Sequence, residues 1–71
     1  MKKIFSINVC GKNGYSFAVE CDCFYDEESV IDAALENGLF DEEIDADYAV
    51  AEDITEYEDD IKALRNCTYE I

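Results

Sequence analysis

Seventy-one residues with 19 acidic side chains, five basic ones and no histidine give a formal net charge of −14 and leave room for one small domain with one core. An apolar content of 49% is too high for a disordered acidic tail, and no apolar run is long enough for a transmembrane helix. The charge excludes direct nucleic-acid binding, since so few cations cannot neutralise a row of phosphates, and it opposes contact with anionic lipid.

Met1 to Val9 carries two lysines among apolar residues, as a secretory signal does. Ser6 and Asn8 interrupt the run, Lys12 follows, and no small-residue cleavage site appears, so the expected location is the cytoplasm of a bacterial cell. There Cys10, Cys21, Cys23 and Cys67 are expected as reduced thiols behaving as small hydrophobes, not as two disulfides.

Residues 3–11 and 15–23 read as a β-hairpin. Phe5, Ile7 and Val9 alternate in the first strand; Tyr15, Phe17, Val19, Cys21 and Cys23 alternate in the second. A two-residue Asn13-Gly14 turn would set odd residues against even ones and split the apolar sets between faces. A three-residue loop, Lys12-Asn13-Gly14, pairs Val9 with Phe17 and keeps them together, with Gly14 in a left-handed bulge position.

Asp26 is the expected N-cap of a helix over 27–37, with Glu27 and Glu28 in its first turn. Val30, Ile31, Ala34 and Leu35 form its apolar stripe. Asn37-Gly38 stops it, and Leu39 folds back as a C-terminal cap contact. Residues 39–47 read as an acidic connection pinned to the core by Phe40 and Ile44. A third strand is expected over 48–54. Thr55 and Glu58 have capping-box spacing before a second helix at 56–65. Residues 67–71 complete the order ββαβαβ. The fold class is α+β: a four-stranded, largely antiparallel sheet with two helices over one face.

No motif names a reaction. The clue is charge distribution: between Lys12 and Lys62 there is no basic residue, and that interval holds 18 of the 19 acids, from Glu20 to Asp60. Such a field destabilises a compact domain through self-repulsion and serves interaction rather than fold. Glu28, Asp32 and Glu36 stand four apart, roughly 6 Å along a helix, with no cation between them. Asp41, Glu42, Glu43, Asp45 and Asp47 are the densest cluster. They lack the glycine and the ligand spacing of an EF-hand, so no calcium loop is expected. Glu56, Glu58, Asp59 and Asp60 precede Lys62 and Arg65, as a helix dipole favours, and Glu58 is placed to pair with Lys62. Cys21-Asp22-Cys23 with Cys67 and no histidine is a poor zinc set. Tyr48 and Tyr57 flank the acidic segments and are the tyrosines expected at an interface. With no histidine, glycine-rich phosphate loop or evident cleft, neither an enzyme nor a cofactor is expected.

The expected partner-binding set is therefore Glu28, Asp32, Glu36, Asp41, Glu42, Glu43, Asp45, Asp47, Tyr48, Glu56, Tyr57, Asp59 and Asp60. The expected function is that of an inhibitor filling a basic, nucleic-acid-binding groove of another protein as a DNA mimic. In size, charge and compactness the chain resembles the small anti-defence proteins of phages and mobile elements, among them anti-restriction and anti-CRISPR DNA mimics. That resemblance rests on no motif and carries over no residues. The expected targets are a restriction enzyme, a CRISPR effector or a repressor, and the chain is expected as a monomer or small homo-oligomer. The alternative from another class is a regulatory or adaptor domain binding a protein through an apolar sheet face or strand edge, its acidity serving solubility. A homo-oligomeric structural protein is a third.

Overall fold

The pleat of the first two strands organises the molecule. The computed structural model describes residues 2–11 and 14–71. β1 (Lys2–Val9) and β2 (Tyr15–Asp22) pair antiparallel, and Phe5, Ile7, Val9, Phe17, Val19 and Cys21 are buried on one face. Odd residues meet odd residues, as the apolar pattern requires. The register differs from expectation by two: Val9 lies opposite Tyr15, and Ile7 opposite Phe17. Registers two apart put the same side chains on the same face, so periodicity cannot choose between them. At Gly14, the expected bulge position, a Cβ would meet the Val9 carbonyl oxygen at 2.9 Å, a close approach that requires glycine. Lys12 and Asn13, the rest of the expected loop, lie outside the described residues.

α1 (Glu27–Glu36) starts as expected at Asp26. The Asp26 carboxylate accepts from the N–H groups of Glu28 (3.0 Å) and Ser29 (2.8 Å), and the Ser29 hydroxyl accepts from the Asp26 N–H (2.8 Å). The helix ends in a Schellman arrangement at Gly38, whose φ is +71°. The Gly38 N–H donates to the Leu35 carbonyl and the Leu39 N–H to that of Ala34. Val30 and Ala34 seat the helix on the odd face of the sheet. Phe40 then enters the core, edge-on to Phe17 at 5.5 Å between ring centroids.

Ile44 does not pin the connection: it is 55% exposed. The segment Glu43–Tyr48 winds as a 3-10 helix, and Ala46 packs on the core instead. At three residues per turn, two positions are roughly 240° apart, so Ile44 points away when Ala46 points in.

β3 (Ala49–Asp53) pairs antiparallel with β1, Ala51 opposite Ile7. The expected capping box at Thr55 is absent. The Thr55 hydroxyl accepts from the Ile4 N–H (3.0 Å) and bonds to the Asp53 carboxylate, so it ties strand ends together instead. α2 is accordingly short, Glu58–Ala63, and a 3-10 turn, Arg65–Cys67, leads to β4 (Thr68–Glu70). β4 pairs parallel with β2, giving a mixed sheet in the order β3-β1-β2-β4.

This order corrects the expectation that both helices share a face. α1 carries the chain from β2 to β3, and α2 carries it back from β3 to β4. Right-handed crossovers in opposite directions lie on opposite faces. Burial agrees: Ser6 and Ala18, paired on the even face, are 6% and 0% exposed, and Ile54 is 1% exposed. The same face is open further along, where Val50 is 59% exposed. Ile54→Ala should therefore cost about 2–5 kcal/mol, as a buried aliphatic truncation does. Val50→Ala should stay within about 0.5 kcal/mol. Urea unfolding of the two variants measures the contrast, and equal effects would contradict the two-face arrangement.

Candidate acidic interaction face

α1 carries Glu28, Asp32 and Glu36 on its solvent side, all exposed. Packing of α1 against the 43–48 segment brings that row up to the second cluster. The two form one surface, in which nine acids lie between Glu27 and Asp47 in sequence with no cation among them. Asp41, Glu42, Glu43 and Asp47 are exposed; Asp45 is half-buried.

Asp45 has a structural task. The Tyr15 hydroxyl donates to its Oδ2 at 2.7 Å and accepts from the Asp41 N–H at 2.9 Å. The Glu42 N–H also reaches Asp45 Oδ2, at 3.3 Å, while the Asp45 N–H donates to the Glu42 carbonyl. Tyr15 thus anchors the densest acidic segment to β2. Burial pushes the Tyr15 hydroxyl pKa above its ordinary value, and the hydrogen-bonded Asp45 carboxylate adds to the rise. Tyr48, 55% exposed, joins Val9, Cys10, Asp41 and Glu42 around an open concavity of about 440 Å³.

Glu56, Tyr57, Asp59 and Asp60 are exposed too but belong elsewhere. Glu56 and Tyr57 border a separate hollow of about 450 Å³ with Lys2, Lys3, Cys23, Asp53 and Thr55, and Asp59 and Asp60 follow on α2, across the sheet from α1. The thirteen expected residues therefore fall on two surfaces: Glu28 to Tyr48 on one, Glu56 to Asp60 on the other.

Compensation is sparse. Among the described residues the one ion pair joins Lys2 and Asp22 at 3.6 Å, with both side chains more than half exposed. The expected pairing of Glu58 with Lys62 does not form. Two carboxylates sit below their ordinary range: Asp26, through hydrogen bonds from Ser29, and Asp53, through those from Thr55. Burial raises the Cys21 thiol; Cys10, Cys23 and Cys67 are exposed. Among the described residues no three Cys, Asp or Glu side chains converge to hold a metal ion, and no helix is long and apolar enough to cross a membrane.

Sequence reading missed two exposed hydrophobes. Phe24 is 74% exposed and stacks on Tyr25 at 4.5 Å; Val50 projects from the edge of the sheet. Strand parity was the available signal for Val50, since even-numbered strand positions leave the apolar face; Phe24 lies in the turn after β2.

Comparison with protein-family models, with characterised proteins and with solved structures finds no match.

Tyr15→Phe removes both bonds of the anchoring hydroxyl and should cost about 1 kcal/mol, with amide exchange rising locally over 41–45. Two outcomes follow for pH and salt. Asp26 and Asp53 have depressed folded-state pKa values, so their contributions are present above the unfolded carboxylate pKa and lost as pH falls through the folded one. The double variant D26N/D53N should flatten the acid limb of a urea-midpoint profile below about pH 4. Near neutrality, added sodium chloride should raise the midpoint of the native protein by screening the unpaired carboxylates; a fall would show that net attraction dominates its charges.

Proposed function

We propose that the protein binds a basic, nucleic-acid-binding protein and blocks it by presenting carboxylates where that partner expects phosphates. The observation that carries this reading is the α1 to 43–48 surface: nine acids in sequence from Glu27 to Asp47, eight of them exposed, and no cation paired with them among the described residues. An ordinary solvated face interleaves charges of both signs, because like charges four apart on a helix destabilise it. Here that cost is left uncorrected along Glu28, Asp32 and Glu36.

Dimensions are compatible with a groove built for a duplex. The molecule measures 31 Å along its longest axis, a length over which duplex DNA carries roughly 18 phosphates at about 1.7 Å each. The half-exposed Tyr48 beside Asp41 and Glu42 supplies an amphipathic anchor of the kind found at protein interfaces. The protein acts by occupancy as a small cytoplasmic inhibitor, and the activity this chemistry serves is interference with a bacterial restriction enzyme, CRISPR effector or repressor. The acids of α2 lie on the other face and play a lesser part, as a source of long-range field.

Partner and duplex should exclude each other. In fluorescence anisotropy with a labelled duplex on a captured target, the protein should displace the duplex competitively, and affinity should fall steeply with salt. A ternary complex at saturation would sink mimicry. Reversing Asp41, Glu42, Glu43 and Asp47 to lysine, while sparing the structural Asp45, should slow stopped-flow association by about tenfold or more at low salt, as loss of electrostatic steering implies. Reversing Glu56, Asp59 and Asp60 should slow it less. The opposite ranking would move the recognition surface to α2.

A further inference from the structure

β3 is an edge strand, and alternate backbone groups along it point out of the sheet. The Ile54 N–H donates to the Ile4 carbonyl at 2.8 Å, and the Cys10 N–H to the Tyr48 carbonyl at 3.0 Å. Hydrogen-bonded positions alternate in an antiparallel ladder. Even-numbered residues therefore face β1, and Ala49, Ala51 and Asp53 face away. The Ala49 N–H turns back to the Ala46 carbonyl. The Ala49 carbonyl and the N–H and C=O groups of Ala51 and Asp53 have no hydrogen-bond partner among the described residues. Next to this row stand two exposed side chains of different character, Val50 and Glu52.

We propose that this edge takes up an extended segment of a partner protein as a fifth strand, and that the segment carries lysine or arginine beside an aliphatic residue. Ala51 exchanges both its backbone groups with the incoming strand, and Asp53 adds its N–H. Specificity comes from the side chains that flank the pairing: an aliphatic residue lies against Val50, and a cation two positions along lies against Glu52. Charge selects the occupant. Asp47, Glu52 and Asp53 frame the edge; Lys2 and Lys3 share a hollow with Asp53 at one end, and the sequence from 13 to 61 adds no further cation. A second copy would bring −14 against −14 and present the same three acids. The framing acids thus oppose self-pairing, which an uncovered edge otherwise invites, while attracting a cationic strand. This contact uses main-chain groups and stands apart from mimicry by the α1 surface, so either can fail alone.

The probe is a short capped peptide of alternating lysine and valine, titrated into ¹⁵N-labelled protein. Saturable shifts should centre on Ala49 to Asp53, and amide exchange should slow at Ala51 and Asp53. The same peptide with alternate amides N-methylated should bind about tenfold more weakly or worse, since it cannot complete the ladder and loses more than one hydrogen bond. Ala51→Pro removes one outward N–H at an edge position where proline is tolerated; with a preserved spectrum it should weaken the unmodified peptide similarly. Equal binding of the N-methylated peptide would mean attraction by charge alone and would overturn the proposal. Shifts confined to α1 and 41–47 with unchanged exchange at Ala51 would do the same. So would a concentration-dependent dimer, seen by sedimentation without peptide, that protects those amides and gives the edge to a second copy.

Discussion

Phe5, Ile7 and Val9 alternate with Ser6 and Asn8 along a strand that is hydrogen-bonded on both edges. Because β1 sits between β2 and β3, its pleat sets which side chains of all three strands share a face. The odd face gathers large side chains and receives Val30 and Ala34 of α1. The even face has the small Ser6 and Ala18 buried at its centre, and Ile54 is buried just past the end of β3. Both layers are consequences of one period of two. A polar substitution at Ile7, wholly buried at the meeting point of β2, β3 and α1, would disturb every element the acidic surface stands on.

Charge works against this small core and is managed by placement, not by pairing. A chain this short has a thin stability margin, and among its described residues a single exposed ion pair offers little in return. The carboxylates that are used structurally are used locally. Asp26 closes the start of α1, Asp53 holds Thr55 at the strand end, and Asp45 fixes Tyr15. These hydrogen bonds make the framework that presents the others. The remaining acids stay in water, where repulsion is screened and desolvation is avoided.

The acidic surface and the β3 edge differ in physics and agree in preference. Distributed charge such as that on α1 and 43–48 acts at a distance. The edge offers fixed donors and acceptors at contact, with Asp47, Glu52 and Asp53 beside them. In the two proposals each meets a cationic protein, the first through its field and the second through its backbone. Tyr15 links them structurally: its hydroxyl anchors the acidic segment that leads directly into β3.

Much was legible in local pattern. Alternation identified the hairpin strands and their shared face; Asp26 and Gly38 bounded α1; the order ββαβαβ followed from spacing; and the exposure of Glu28, Asp32 and Glu36 followed from the helical stripe opposite them. These depend on neighbours within one or two turns, and the sequence by itself determined them. The hairpin register depended on the close approach of Gly14 to Val9, because periodicity is blind to a shift of two. The inward turn of Ala46 in place of Ile44 depended on a 3-10 segment that propensity does not announce. Thr55 was drawn from its expected cap to Ile4, 51 positions away in sequence. The division of the acids between two faces, and the unpaired edge of β3, were decided only when β3 and β4 took opposite ends of the sheet. That choice rests on crossover handedness and long-range strand pairing, which no local window of residues contains.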